Sequence, residues 1–279
     1  FQKGANCVIL EKTVEGSGLV AKKRRKKSRK KQNQPLYWLI VALALALLAL
    51  LLVNRLGKGE MLLPQINPYR AEDFVSENGR ITCLTGESLQ GIDVSYYQGQ
   101  IDWQQVRESG IEFAFVRIGY RRSSDGTLGE DELAQQNLRE ASEAGIKVGA
   151  YFFSQAISPE EAREEAIFAL EIIKDFRLDL PVVYDWETVD GSSRSESMTR
   201  QVLGECIAAF CDTVESSGYE SMVYFNRELS RTLLDVRILK DRKVWFAMYD
   251  TYPDAPCKPD YWQYTDKGTV PGIKGYVDL

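Results

Sequence analysis

The stretch LPVVYDWETVD, residues 180–190, ends a short apolar run with two carboxylates, Asp185 and Glu187, on either side of Trp186. Side chains alternate along a β-strand, so residues two apart share a face, with Cα atoms about 6.6 Å apart. Carboxylates this close resist ionising together, and one of them therefore keeps its proton to a higher pH than usual. A retained proton makes a general acid, and an ionised neighbour stabilises positive charge. This pairing suits the oxocarbenium-like transition state of glycosidic bond cleavage.

Two further acids are expected beside this pair. Asp93 lies in the predicted strand GIDVSYY, and Asp278 lies in the predicted last strand GYVDL. If the sheet closes, the last strand neighbours the first, and four acids then converge from three strands. Taken singly, Asp93 is equally a turn cap and Asp278 a solvated terminus. An acidic cluster also has the oxygen ligands that Ca²⁺ or Mg²⁺ prefers. We nevertheless predict that the site uses neither a metal nor an organic cofactor.

Aromatic side chains near the strand ends offer flat faces for stacking on sugar rings. Each of them alone is more often a core residue, but together with the acids they are candidates for substrate binding. These candidates are Tyr151, Tyr224, Trp245, Tyr249 and Trp262, and Trp186 is a further aromatic at the same level.

The elements that must position these residues alternate from residue 89 onward. Apolar runs predict strands at 91–97, 113–120, 147–154, 180–187, 221–226, 243–250, 261–265 and 275–279. Amphipathic segments predict helices at 101–110, 131–145, 158–176 and 197–218, followed by only one more, near 228–239. Such alternation is typical of an α/β fold with a parallel sheet. About eight strands with few late helices predict a TIM-like barrel that is only partly clad by helices.

Composition excludes several kinds of site. The chain has 279 residues and no histidine, which rules out Ser-His-Asp and Cys-His catalysis and His-ligated metals. The five cysteines show no metal-ligand spacing and read as small buried residues, although a disulfide among Cys83, Cys206, Cys211 and Cys257 is the alternative. The chain holds 35 basic and 40 acidic residues, but 13 basic and only 2 acidic ones precede residue 59. The remainder is therefore strongly acidic, and we expect it not to bind nucleic acid.

The N-terminal part reads as a membrane anchor. The basic run at 22–31 precedes an uncharged apolar run at 36–53, which as a helix is about 27 Å long, close to the hydrocarbon thickness. By the positive-inside rule, the N-terminus lies in the cytoplasm and the rest outside the cell membrane. The alternatives are a nucleic-acid-binding basic run and a cleaved signal peptide. The predicted organisation is therefore a cytoplasmic segment 1–35, a single span 36–53, a stalk 54–88 and a domain 89–279. The dipeptide Asn78-Gly79 predicts a hairpin within the stalk, which either packs on the domain or serves as a spacer.

Several motifs occur in an order that resembles the family 25 glycoside hydrolases, the lysozymes that act as N-acetylmuramidases. The motifs cover residues 91–279 and read GIDVSYYQGQIDWQQV, FAFVRIGY, AGIKVGAYFFS, LPVVYDWE, VWFAMY and YWQYTDKGTVPGIKGYVDL. The resemblance implies a flattened β/α barrel with fewer than eight helices. It also implies a peptidoglycan substrate, cut at the β-1,4 bond between N-acetylmuramic acid and N-acetylglucosamine. Protein partners are not indicated.

The resemblance also implies roles for the four acids. Glu187 corresponds to the general acid/base, and Asp185 either orients the acetamido group of the substrate or attacks directly. Asp93 and Asp278 correspond to the two further acids of the family site. The family often has His after the Ser of the first strand and within the third strand, whereas this chain has Tyr96, Tyr97 and Phe152 there. A wall-binding module that lacks catalysis and a glycosidase for another N-acetylated glycan are the alternatives.

Overall fold

A computed structural model describes residues 37–43, 64–191 and 194–279. The chain divides into two units, Phe1–Glu60 and Met61–Leu279. In the first unit, residues 37–43 are helical, and their side chains are mostly exposed. The basic segment 1–35 and most of the predicted span 36–53 lie outside the described residues. Within the described part of the chain, no helix is both long and apolar enough to cross a membrane.

The second unit is built on parallel strands separated by helices. Its strands are β1 (Phe74–Glu77), β2 (Arg80–Cys83), β3 (Gly91–Val94), β4 (Phe113–Arg121), β5 (Leu128–Glu130), β6 (Lys147–Ser154), β7 (Val182–Trp186), β8 (Ser221–Asn226), β9 (Lys243–Ala247) and β10 (Tyr261–Gln263). Its helices are α1 (Trp103–Glu108), α2 (Ala134–Glu143), α3 (Pro159–Ile173), α4 (Arg200–Ser216) and α5 (Arg227–Thr232). Short 3₁₀ turns occupy Ala71–Asp73, Tyr96–Gln98 and Val236–Leu239.

The main sheet is curled, with strand order β10-β9-β8-β7-β6-β4-β3, and all neighbours in this order are parallel. The short strand β5 is the exception and pairs with β4 antiparallel. The predicted α/β fold with a parallel sheet is therefore confirmed.

The C-terminal segment connects the two ends of this sheet. Asp93 in β3 forms an isolated antiparallel bridge with Asp278, and its N–H donates to the Asp278 carbonyl at 3.2 Å. On the other side, the Tyr264 N–H donates to the Leu279 carbonyl at 2.8 Å. The predicted last strand at 275–279 is thus reduced to bridges, but it links β3 to the end of β10 as expected of a sheet that curls back on itself.

Alternation along the strands separates two cores. The larger one lies between the helices and the outer face of the sheet. A smaller cluster fills the inner, concave side, formed by Phe115, Tyr151, Val183, Met222, Tyr224, Trp245 and Ala247. The inner side chains of β6, β8 and β9 therefore form the floor beneath any site at the strand ends.

The domain has no long helix after α4, which ends at Ser216. Ser158 caps α3 by accepting from the Glu161 N–H at 3.3 Å, as the sequence predicts. The helix predicted near 228–239 is instead split into α5 and the 3₁₀ turn at Val236–Leu239. Asp235 explains the break, because its side chain accepts from the Arg237 N–H and starts a new turn there.

The hairpin predicted at Asn78-Gly79 is present, with β1 and β2 antiparallel and both turn residues at positive φ. Of the two alternatives, packing on the domain is correct. The Gln90 amide donates to the Ile81 carbonyl at 2.8 Å, and Phe74 contacts the Trp262 ring edge-on. Of the cysteines, Cys83, Cys206, Cys211 and Cys257 are free thiols, and all but Cys83 are buried.

Substitution of Gly149 in β6 tests how tightly the inner side is packed. A Cβ at Gly149 meets the Phe115 ring and, at 2.9 Å, the Leu180 Cβ, so Gly149→Ala is expected to destabilise the domain by about 1–3 kcal/mol. Gly204→Ala in α4 is the matched control. It meets nothing within 4 Å and is expected to stabilise by about 0.5–1 kcal/mol. Urea denaturation of both variants measures the difference, and equal midpoints would show that the inner side tolerates added volume.

Candidate active site

The four predicted acids lie around one cavity of about 250 Å³ at the carboxyl ends of the strands. We call this cavity the acidic cleft. Its lining consists of Asp93, Ser95, Tyr97, Gln98, Arg117, Tyr151, Phe153, Asp185, Glu187, Tyr224, Trp245, Tyr249, Gln263 and Asp278. Asp93 and Asp185 are only 8% and 7% exposed, whereas Glu187 and Asp278 are half-buried. The structure therefore brings together all four acids that the sequence singles out.

The period of the strand explains why Asp185 and Glu187 reach the cleft while Trp186 does not. Trp186 lies between them and points to the helix side, where it is fully buried and its Nε1 donates to the Ala156 carbonyl at 3.1 Å. The suggestion that Trp186 offers a face to a sugar is therefore wrong, because the alternation that unites the acids turns this ring away.

Gln263 at the end of β10 connects two of the acids. Its Nε2 donates to Asp93 Oδ2 at 2.8 Å and lies 3.3 Å from Asp278 Oδ2, and its Oε1 accepts from the Tyr249 hydroxyl at 3.2 Å. The amide is buried and can adopt one orientation only, with its NH₂ toward the carboxylates. Gln263 thereby fixes Asp93, Asp278 and Tyr249 relative to one another.

The surroundings of Asp93 and Asp278 raise the pKa of both acids. Burial raises the pKa of Asp93 well above its usual value, and the charge of Asp278 raises it further, while the hydrogen bond from Gln263 lowers it. Burial and the charge of Asp266 raise the pKa of Asp278 to about 6, against a lowering by its hydrogen bond with Asp93. Of the two acids, the fully buried Asp93 thus favours the protonated form more strongly.

Asp185 and Glu187 are also shifted toward the protonated form. Burial raises the pKa of Asp185 well above its usual value, the charges of Glu187 and Asp93 raise it further, and Arg117 opposes them. Burial likewise raises the pKa of Glu187, and its hydrogen bond with Tyr224 lowers it. Asp185 Oδ1 is a buried acceptor without a protein partner in the described part of the chain, which also disfavours the charged form of this acid.

One cation lines the cleft in the described part of the chain, and another acid already holds it. Arg117 donates from Nε to Asp131 Oδ2 at 2.8 Å, and Asp131 also accepts from the Tyr96 N–H at 3.1 Å. The Arg117 guanidinium carbon lies 5.0 and 5.2 Å from the ring centres of Tyr96 and Tyr97, within cation–π range. Asp131 therefore fixes both the cation and the pair of rings beside it.

The predicted aromatic candidates divide into two groups. Tyr151, Tyr224, Trp245 and Tyr249 line the acidic cleft, and Tyr249 is the most accessible of them at 54% exposed. Trp262 does not line the cleft. It alternates with Gln263 on β10, packs against Phe74 and Tyr264, and donates from Nε1 to the Met248 carbonyl at 2.9 Å. The same one-residue alternation excludes Trp186 and Trp262 from the cleft.

Sequence reasoning did not single out six of the residues that line the cleft: Ser95, Tyr97, Gln98, Arg117, Phe153 and Gln263. Arg117 and Gln263 carry a signal in their strand period. Gln263 is two residues after Tyr261, and Arg117 two after Phe115, so both share the inner side of their strands. Tyr97 follows the end of β3, and its ring stacks on Tyr96 with centres 4.2 Å apart. It is 72% exposed, which gives the cleft a second open aromatic face besides Tyr249.

Among the described residues, no group of three or more acidic or cysteine side chains is arranged to hold a metal ion. Asp93 and Asp278 are instead both hydrogen-bonded to Gln263. The expectation that catalysis needs no metal remains a prediction.

Comparison with known proteins decides the family. The sequence profile of Glycosyl hydrolases family 25 matches residues 92–273, which includes three of the four acids. The chain belongs to glycosyl hydrolase family 25. The predicted family resemblance is thereby confirmed.

Members and relatives of family 25 agree with this assignment. An autolytic lysozyme of Clostridium acetobutylicum is 27% identical over 192 residues, which cover 68% of this chain and 55% of the relative. The uncharacterized protein YegX of Escherichia coli K12 is 30% identical over 201 residues, which cover 69% of this chain and 68% of YegX. The modular autolysin LytC of Streptococcus pneumoniae, solved in complex with a synthetic peptidoglycan ligand, has a TM-score of 0.62 at 30% identity. That match covers 74% of this chain and 51% of LytC, so this chain spans about half the length of both LytC and the autolytic lysozyme.

The raised pKa of Asp93 predicts a gain in stability when this acid is neutralised. Between the unfolded pKa, about 3.9, and the higher folded pKa, the folded state keeps a proton that the unfolded state loses, so the free energy of unfolding falls as the pH rises. Asp93→Asn cannot ionise and can still donate to Asp278. At pH 7 it is expected to be more stable than the native protein by on the order of 1 kcal/mol or more, since one pKa unit is about 1.4 kcal/mol.

Urea denaturation at pH 7 and pH 3.5 checks this, because the gain should vanish at the lower pH. Asp175→Asn, at an exposed position at the end of α3, is the control and should change stability little at either pH. An Asp93→Asn variant that is less stable at pH 7 would contradict the raised pKa of Asp93.

Proposed function

We propose that this protein hydrolyses peptidoglycan, cleaving the β-1,4 bond between N-acetylmuramic acid and N-acetylglucosamine. The observation that carries the proposal is the convergence of Asp93, Asp185, Glu187 and Asp278 in one cleft of a family 25 chain, all with raised pKa. The complex of LytC with a synthetic peptidoglycan ligand supports the substrate class.

In this proposal Glu187 is the general acid that protonates the leaving oxygen. It is half-buried at the mouth of the cleft, its pKa is raised by burial, and Tyr224 holds its carboxyl group. After the bond breaks, the same carboxylate activates the water that completes hydrolysis. Burial favours the protonated form of Glu187, which is the form that the first step needs. Once Glu187 has donated this proton, its carboxylate can act as the base in the second step.

Asp185 is assigned to the other side of the sugar ring. Asp185 lines the cleft together with Glu187, and its carboxylate would either accept the N–H of the substrate acetamido group or attack the anomeric carbon. Asp93 and Asp278 both have raised pKa values and are held by Gln263, so this part of the cleft favours a neutral or singly charged state. This limits the negative charge that Asp185 experiences when it ionises.

The digest of purified peptidoglycan tests the proposal. Glu187→Gln keeps the shape of the side chain but removes its acid, so the rate of bond cleavage is expected to fall at least about 100-fold. Products are reduced with borohydride and identified by mass spectrometry. New reduced muramic acid ends that disappear in the variant support a muramidase, whereas reduced glucosamine ends indicate a glycosidase of another specificity.

Asp212→Asn on the outer helix α4 is the matched control and should digest at the native rate. Circular dichroism of all three proteins shows whether they are folded. Binding of peptidoglycan without any cleavage by the folded native protein would favour the alternative, a wall-binding module.

Tyr97 is assigned a sugar-stacking role at the rim of the cleft. Its exposed ring lines the cleft and is backed by Tyr96 and Arg117, so Tyr97→Ala is expected to raise KM for soluble glycan fragments about three- to tenfold. The turnover number should change little, because the ring is not part of the acid cluster. Tyr97→Phe should retain native KM, and Tyr276→Ala, at an exposed ring outside the cleft lining, is the control. Steady-state kinetics on soluble glycan fragments measures KM and the turnover number. An unchanged KM would show that Tyr97 is not part of the binding surface.

We further propose that the domain is tethered outside the cell membrane by the apolar run 36–53, with the basic run 22–31 in the cytoplasm. The support is the sequence alone. An uncharged apolar run that is long enough, as a helix, to span a membrane follows a run of ten almost entirely basic residues. A tether of this kind confines hydrolysis to wall close to the membrane. Membrane fractionation and protease accessibility of the domain in spheroplasts test both the anchoring and the orientation.

A further inference from the structure

The loop that follows β6 is hydrogen-bonded to the main chain of the candidate general acid, Glu187. Gln155 is buried, and its Nε2 donates to the Glu187 carbonyl at 2.7 Å and to the Ser154 carbonyl at 2.9 Å. The next residue, Ala156, accepts the indole N–H of Trp186 at 3.1 Å. Two consecutive loop residues thus hold the two residues that follow Asp185.

A buried carboxylate on α3 sets the shape of this loop. Glu165 is fully buried and accepts from the Ser154 hydroxyl at 2.6 Å, from the Gln155 N–H at 3.3 Å and from Arg121 Nε at 2.8 Å. Burial raises the pKa of Glu165 to about 7, while the bonds from Ser154 and Arg121 oppose that rise. Glu165 therefore links helix α3 and strand β4 to the loop through three hydrogen bonds.

Only one end of the Gln155 side-chain amide has hydrogen-bond partners in the described part of the chain. Its Oε1 is buried and has no hydrogen-bond partner among the described residues, which is unfavourable for folding. Its Nε2, by contrast, makes two bonds, one of them to Glu187. The hydrogen bonds that the Gln155 side chain makes are therefore those of its Nε2 group, and one of them holds the main chain of the candidate acid.

We infer that Gln155 is a positioning residue for Glu187: through its amide N–H it fixes the main chain from which the acid extends, and Glu165 orients the loop that carries it. The inference rests on the proposed function, in which Glu187 is the general acid. Gln155 does not line the acidic cleft, so it acts through Glu187 and touches no substrate.

Loss of this bond should affect the chemical step and leave binding intact. A displacement of a catalytic group by about 1 Å reduces rates by up to about 100-fold. The cleft surfaces that contact glycan, among them Tyr97 and Tyr249, have no bond to Gln155. A residue needed only for folding would instead lower the amount of active protein and the unfolding temperature together.

Gln155→Met is the test, because methionine keeps the length and apolar volume but has no donor. The turnover number on soluble glycan fragments is expected to fall about 10- to 100-fold, with KM within about twofold of the native value. The unfolding temperature should stay within a few degrees, since the unpaired Oε1 is removed together with the donor. Gln201→Met, the same change at an exposed position on α4, is the matched control and should behave as native. If Gln155→Met does not fold, Gln155→Asn replaces it, with the amide one methylene too short to reach the Glu187 carbonyl.

A second readout does not depend on activity. The titration of Glu187, followed by NMR of ¹³C-carboxyl-labelled glutamate and assigned with Glu187→Gln, should shift between the native protein and Gln155→Met. A native turnover number in a folded Gln155 variant would overturn the inference, as would an unchanged Glu187 titration. If the native protein itself cleaves no glycan, the proposed function fails, and the titration still decides whether Gln155 positions Glu187.

Discussion

The pairing of Asp93 with Asp278 is the interaction on which the rest of the site depends. Their main chains meet where the C-terminal segment returns to β3, and both side chains accept from the amide of Gln263 and have raised pKa values. One contact therefore joins the two ends of the sheet and also builds one wall of the acidic cleft. Because the carboxylates repel when both ionise, the connection is strongest while one remains protonated. Fold and protonation state are thus coupled at this point of the domain.

Strand alternation then decides which side chains can join this wall. Along β7 it places Asp185 and Glu187 together and sends Trp186 to the helices, and along β10 it admits Gln263 and excludes Trp262. A shift of one residue in either strand would exchange acid for indole. The indoles of Trp186 and Trp262 therefore do more than fill space. Each donates to a main-chain carbonyl on the outer side, and these bonds hold the register that places the polar residues on the inner side.

The sequence predicts the parts of this arrangement that follow from local pattern. Alternating apolar runs predict the strands, Ser158 predicts the start of α3, Asn78-Gly79 predicts the hairpin, and the position of four acids near strand ends predicts their convergence. The residues that it misses depend on contacts between distant segments. Arg117 is paired with Asp131 across two elements, and Gln263 contacts Asp93, 170 residues away. The strand period places both residues on the inner side, but only these long-range contacts join them to the site. Trp262 lies outside the acidic cleft for the converse reason: an aromatic residue near a strand end is easily recognised, but its face follows from a register that one sequence does not fix.

Two carboxylate environments on opposite sides of β7 show how the same residue type serves two purposes. On the outer side, Glu165 is buried but directly bonded to Arg121, and its role is to hold the loop beside Glu187. On the inner side, Arg117, the cation that lines the cleft within the described chain, is already engaged by Asp131, so Asp185 and Glu187 are left without a direct counter-ion. Burial without a counter-ion favours the protonated acid, which is the form that a general acid must have before the bond breaks. The two arginines are thus engaged elsewhere, Arg117 by Asp131 and Arg121 by Glu165, and neither is a direct counter-ion of Asp185 or Glu187.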